Sequence, residues 1–198
     1  MAADEVVARI SADEAFYRNS GGGVTFSGGE PLLQPEFLEE LLVRCKGLGI
    51  HTALETCGHA PPETILKLEP LVDLFFFDVK AVDPLLHERF SGVSNEVILE
   101  NLRLLAGRCP GKITVRVPIV PGYTDTVENL SAIASMASAL GIGRAELMPY
   151  HDLGRDKYEG LGRSYPLGDD ASRSPRPRIE SSLRIFREQG VACEIGGA

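Results

Sequence analysis

Cysteine is scarce in this sequence. The 198 residues contain four, Cys45, Cys57, Cys109 and Cys193, scattered widely, with no C-x-x-C pair and no histidine at metal-ligand spacing. Such scatter reads as buried or free thiols in a reducing compartment. There is also no run of lysine or arginine, and the formal charge of -8 argues against a nucleic-acid footprint. No apolar stretch approaches the roughly 20 residues that a membrane span needs. The N-terminus, MAADEVVARI, is acidic and lacks the hydrophobic core of a secretory signal. Partners of nucleic-acid or membrane type are therefore not expected, and a cytoplasmic location is.

What is present is ordinary globular composition, 43% hydrophobic and 24% charged, in a length that one domain over residues 1–198 accommodates. Periodicity predicts a helix over Ala3 to Phe16, a short strand around Val24 to Phe26, and an amphipathic helix over Glu36 to Leu48. The pattern then repeats. Strands are expected at Ile50 to Leu54, in LVDLFFFDVK, in KITVRVPIV, in AELMPYH and in VACEI, with helices at Glu63 to Leu68, Val97 to Leu105, Val127 to Leu140 and Ile179 to Gln189. A polar loop, Gly168 to Arg178, precedes the last of these helices. Strands alternating with helices indicate βα units and a parallel sheet, and LVDLFFFDVK has the near-continuous apolar character of a strand covered on both faces. The expected fold is α/β, a partial TIM-like barrel that begins on a helix and lacks its first strand.

Ligands of parallel βα sheets bind beyond the carboxyl ends of the strands. The residues found there are Ser27-Gly28-Gly29-Glu30, Glu55-Thr56-Cys57-Gly58-His59, Asp78-Val79-Lys80, the stretch from Pro118 to Gly122, and Pro149-Tyr150-His151. Glu30 has two readings: it caps the turn after Pro31, or it helps glycine carbonyls receive an ammonium group. Alternation puts Asp78 and Lys80 on one face, either as a structural ion pair or with Lys80 meeting a ligand carboxylate. His151 is open between packing and ligand contact. Together these residues fit a small zwitterion that carries an amine and a carboxylate.

The segments SGGGVTFSGGEPLLQPEFLEELL, HTALETCGHA, LFFFDVK, GVSNEVILENLRLL, ITVRVPIVPGYTD and AELMPYHDLGRDKYEGLG, in that order, strongly resemble the glycyl-radical-enzyme activating enzymes. These are radical S-adenosylmethionine enzymes, of which the pyruvate formate-lyase activating enzyme is the familiar member. The resemblance runs from about Asp13 to Gly162 and implies a radical SAM barrel. It implies that Gly28, Gly29 and Glu30 receive the methionine ammonium of S-adenosylmethionine, that Lys80 meets its carboxylate, and that His151 lies near its adenosine. Glu55, Thr56 and Asp78 match positions that help bind a monovalent cation, although Glu55-Thr56 stands where family members usually have Asp-Thr. The implied partner is a glycyl-radical enzyme, whose glycine loses a hydrogen atom.

The family's defining C-x-x-x-C-x-x-C, which holds a [4Fe-4S] cluster, does not occur in these 198 residues. The resemblance places that motif after the first strand, the same strand that the pattern lacks. The chain is therefore expected to correspond to the C-terminal portion of an activase, inactive alone, whose cluster loop belongs to a missing N-terminal half. The alternative is a cluster-free module that binds S-adenosylmethionine or a protein partner without catalysis.

Overall fold

Six parallel strands pair in strict sequence order in a computed structural model that describes residues 1–150, 160, 162 and 176–196. They are β1 (Gly23–Phe26), β2 (His51–Thr56), β3 (Leu74–Asp78), β4 (Ile113–Ile119), β5 (Arg144–Pro149) and β6 (Ala192–Ile195). The helices are α1 (Ala3–Ala12), α2 (Glu14–Ser20), α3 (Pro35–Gly47), α4 (Pro62–Leu68), α5 (Pro84–Ser91), α6 (Glu96–Arg108), α7 (Val127–Ala139) and α8 (Arg176–Glu188). Because the order never reverses, right-handed crossovers carry the helices to one side of the sheet, as in a barrel. Among the described residues the sheet does not close: β1 pairs only with β2, and β6 only with β5. This is the open barrel that the βα pattern predicts, with β1 as an edge.

Alternation along the strands sorts the side chains. Phe75, Phe77 and Val79 are buried, as are Ile113, Val115, Val117 and Ile119. They meet Ile65, Leu102, Leu105, Ile133 and Phe186 from the helices in one continuous core. Leu74, Phe76 and Asp78 on the other face are only half-buried, so the sheet is covered on one side among the described residues. β3 therefore departs from the expectation that both faces are covered. Its apolar run reflects Phe76 lying under an arginine, described below.

At the N-terminus the single predicted helix is two, because the chain breaks at Asp13, whose backbone leaves the helical region. Ile10 of α1 packs with Cys45 of α3 and Ile50, and Val6, Tyr17, Val24 and Phe26 close around them. Helix α5 was not anticipated. It starts where Asp83 accepts from the Leu86 amide at 2.7 Å and Pro84 takes the first position, a local signal that was there to be read. Helix α8 starts at Arg176, inside the segment expected to be loop; residues 168–175 of that segment lie outside the described residues.

The glycines of GGGVTF have separate causes. Gly21 closes α2 in the left-handed conformation, at φ 68°. Gly23 lies against β2, where an added Cβ would sit 1.9 Å from the His51 carbonyl oxygen. Gly23→Ala is expected to lower stability by more than about 2 kcal/mol in urea unfolding, because β1 must move away from β2. Gly107→Ala, in α6 where an added Cβ meets nothing, is expected to raise it by about 0.5 kcal/mol.

Candidate functional site

Ser27, Gly28 and Gly29 are exposed at the carboxyl end of β1, and Gly28 has φ 152°, a conformation that side chains disfavour. The turn is held by Glu30. Its Oε1 accepts from the Leu32 amide at 3.1 Å and from the Thr56 hydroxyl at 2.6 Å. Its Oε2 accepts from the Cys57 amide at 2.9 Å and the Cys57 thiol at 3.0 Å. These bonds fill the roughly four lone-pair directions of a carboxylate. Glu30 thus caps the short 3-10 turn Pro31–Leu33 and ties the loop after β1 to the loop after β2. It contributes negative charge to the site, while its hydrogen-bonding directions are already taken.

Cys57, which sequence reasoning left without a partner, is the other end of that tie. Burial, reinforced by the bond to Glu30, pushes its thiol up to about 11, so it stays protonated and acts as a donor. The next residue, Gly58, is at φ 73° over the Phe77 ring, where an added Cβ would fall 2.2 Å from Cζ. Asn101 of α6, fully buried, donates to the carbonyls of Gly58 and Ala60, both at 2.8 Å, and fixes the turn from the helix side.

Register builds a second cluster on the uncovered face. Arg116 of β4 stands beside Asp78 of β3 and Glu146 of β5. Its guanidinium pairs with Glu55 of β2, lies 4.0 Å from Asp78 and 3.8 Å from Glu146, and rests 5.5 Å from the centre of the Phe76 ring. Its Nε is buried without a hydrogen-bond partner among the described residues. Burial is the main influence on Asp78 and raises its carboxyl to about 6, with Arg116 acting in the opposite direction. Glu146 is raised too, again mainly by burial. Sequence reasoning missed Arg116. The signal was Thr114 and Arg116 alternating with valines in ITVRV, which puts an arginine on the same face as Asp78.

Lys80 follows β3 and is half-buried. Among the described residues its ammonium has no ion pair, so of the two readings the structural ion pair with Asp78 is not formed; Asp78 is near Arg116 instead. Lys80 lines a cleft of about 490 Å³ between the ends of β3 and β4 and helix α5. The cleft's apolar wall includes Val120, Phe90 and Tyr123, the last two in an edge-to-face pair at 4.5 Å.

The fold therefore gathers Gly28, Gly29, Glu30, Glu55, Thr56, Asp78 and Lys80 at one end of neighbouring strands. Glu55 and Thr56, however, are in β2 rather than beyond it and fall on opposite faces. Thr56 is buried on the helix side, its hydroxyl donating a hydrogen bond to Glu30 and accepting from the Gly58 amide at 2.9 Å. The positive charge beside Glu55 and Asp78 is that of Arg116. His151 lies outside the described residues.

Comparison with known proteins follows the same lines. Residues 2–132, more than half of the chain, match the model of the family described as the Radical SAM superfamily. The chain belongs to the radical SAM superfamily. It is 46% identical over 195 residues to the "Indoleacetate decarboxylase activating enzyme" of Tractidigestivibacter scatoligenes, matching 98% of this chain and 61% of that protein. It is 40% identical over 194 residues to the "4-hydroxyphenylacetate decarboxylase activating enzyme" of Clostridioides difficile strain CD196, again matching 98% and 61%. The chain thus spans under two thirds of the length of these relatives. Among solved structures, a domain of pyruvate-formate lyase-activating enzyme from Bacteroides vulgatus superposes with a TM-score of 0.73 at 31% identity, covering 89% of this chain and 99% of that one.

Two groups belong to radical SAM chemistry, and the residues of this chain fit them unequally. Among the described residues, no three His, Cys, Asp or Glu side chains converge as metal ligands, so the donor set does not fit an iron–sulfur cluster. S-adenosylmethionine fits better: the Gly28–Gly29 turn is exposed, Glu30 adds negative charge beside it, and Lys80 offers an ammonium with no ion pair among the described residues.

Glu30→Ala is expected to cost about 2–4 kcal/mol in chemical denaturation, since it strips acceptors from Leu32, Thr56 and Cys57. The Asp78 carboxyl, at about 6 in the folded protein against 3.8 ordinarily, favours folding through its bound proton. That contribution is full below 3.8 and lost as pH rises through about 6. Asp78→Asn is therefore expected to raise the melting temperature relative to wild type at pH 7 and to leave it unchanged near pH 3.5, read by thermal melts across that range.

Proposed function

We propose that this chain is the S-adenosylmethionine-binding portion of a radical SAM activase. The complete activase removes a hydrogen atom from a glycine of a partner glycyl-radical enzyme. The observation that carries the reading is the arrangement at the strand ends. An open Gly28–Gly29 turn with negative charge behind it faces one way for an ammonium, and the Lys80 ammonium, without an ion pair among the described residues, stands ready for a carboxylate. The order of motifs and the similarity to activating enzymes support the same reading.

In this reading the glycine carbonyls of the turn orient the methionine amine, and Glu30 holds that turn rigid through its bonds to the β2 loop. Lys80 neutralises the carboxylate borne on the same carbon as that amine. Glu55, Asp78 and Glu146 make the uncovered face acidic, which suits a sulfonium cation, and Arg116 keeps those carboxylates from repelling one another. In the complete family enzyme a [4Fe-4S] cluster would supply the electron for cleaving the sulfonium bond, and residues other than these would hold it. The chain by itself binds the cofactor without cleaving it. A cluster-free binding module is the second reading, favoured by the lack of a metal-ligand set among the described residues.

Calorimetric titration with S-adenosylmethionine tests the shared core of both readings. Wild-type chain is expected to bind weakly, and Lys80→Ala to lose about tenfold or more in affinity, the contribution of a charge-assisted contact. Equal binding by the two proteins overturns the assignment of Lys80. Reconstituted activity of this chain with a polypeptide carrying C-x-x-x-C-x-x-C, read as the glycyl-radical signal on a partner, separates the activase from the binding module.

A further inference from the structure

The main chain from Lys80 to Val82 is neither strand nor helix, yet it is enclosed, with Ala81 1% exposed. Enclosed carbonyls need donors, and here two asparagine side chains supply them. Asn129, in the first turn of α7 and 5% exposed, donates through Nδ2 to the Lys80 carbonyl at 3.0 Å and the Thr124 carbonyl at 2.9 Å. Its Oδ1 accepts from the Val82 amide at 3.4 Å. Asn95, preceding α6 and 2% exposed, donates through Nδ2 to the Ala81 and Val82 carbonyls, both at 2.9 Å. The carbonyls of three consecutive residues are thus held from two helices. The backbone of Asn129 is fixed in turn by the Thr126 hydroxyl, which accepts from its main-chain N–H at 3.2 Å.

We infer that Asn129 and Asn95 are positioning residues for Lys80, setting where its ammonium meets an anionic ligand group by pinning the backbone that carries it. The inference rests on the reading of Lys80 as the contact for the cofactor's carboxylate. A lysine has a long flexible stem, so the direction in which it leaves the backbone decides which volume its ammonium explores. The last bond to β4 is from the Val79 amide to the Arg116 carbonyl at 2.9 Å. Beyond it no ladder among the described residues holds that direction, and these side-chain amides take the place of one. An amide is the only neutral side chain that offers two donors and an acceptor on one planar group, which is the set that Asn129 uses. A carboxylate of the same size would turn its oxygens toward the Lys80 and Thr124 carbonyls. The bonds from Asn129 also join Lys80 to the loop after β4, so one side chain fixes both walls of the cleft that Lys80 lines.

A double-mutant cycle on the whole chain tests this. S-adenosylmethionine is titrated into wild type, Lys80→Met, Asn129→Asp and the double variant. Thr52→Val, which loses bonds to Leu71 and Asp73 at the far end of β2, serves as the control for lowered stability. Asn129→Asp is expected to weaken binding about fivefold to tenfold in the wild-type background and to add nothing once Lys80 is methionine. Thr52→Val is expected to lower the melting temperature without changing affinity. Asn95→Asp carries the same cycle if Asn129→Asp does not fold. Three outcomes overturn the inference alone: affinity unchanged by the asparagine substitution, an equal loss in both Lys80 backgrounds, or an equal loss in Thr52→Val. Absence of binding by wild type overturns the cofactor reading, and this inference with it.

Discussion

Phe75 and Phe77 press into the helices while Phe76 and Asp78, their neighbours in β3, turn to the other side. That division follows from the two-residue period of a strand combined with crossovers that all wind one way. Helices can then cover only one face, and burial of apolar surface, at about 25 cal/mol per Å², drives that covering. The strands are left with a second row of side chains that the helices do not cover among the described residues. The charged groups of β2, β3, β4 and β5 occupy that row, so the sorting that builds the core also assembles the polar cluster.

Electrostatics in that row would be unfavourable without Arg116. Glu55, Asp78 and Glu146 converge from three strands, and partial burial disfavours the charged form of Asp78 and Glu146. One guanidinium reaches all of them because it is planar and offers several donors. Its resting place over Phe76 explains why an aromatic residue occupies the uncovered face. At the neighbouring strand ends the same problem is met by hydrogen bonds, with Glu30 saturated by donors from two loops and buried asparagines saturating the carbonyls of others. The upper end of the sheet is held by polar bonds that cross between loops far apart in sequence.

Much of this was legible in advance, for reasons that can be assigned residue by residue. Strand and helix order followed from periodicity and from glycine and proline punctuation, and Glu30 as a cap was visible in Glu-Pro-Leu. Its bonds to Cys57 were not, because nothing local links residues 27 positions apart. Asn101 and Asn129 sit among the apolar positions of α6 and α7, near Leu102, Leu105, Leu130 and Ile133. A polar amide in an apolar stripe was a signal that went unread. The break at Asp13 and the separate faces of Glu55 and Thr56 depended on where a helix or strand ended, which periodicity fixes poorly.

By itself the sequence determined the alternation of strands and helices, the parallel sheet and the family. Those rest on local spacing and on motifs whose order survives without coordinates. Tertiary structure decided which polar groups meet. It gave Arg116 to the carboxylates, made Glu30 a tie between loops, and left the Lys80 ammonium without an ion pair among the described residues. The physical reason is that hydrogen bonds and ion pairs act over a few ångströms. Their partners are chosen by the register and winding of the sheet, which bring distant segments side by side.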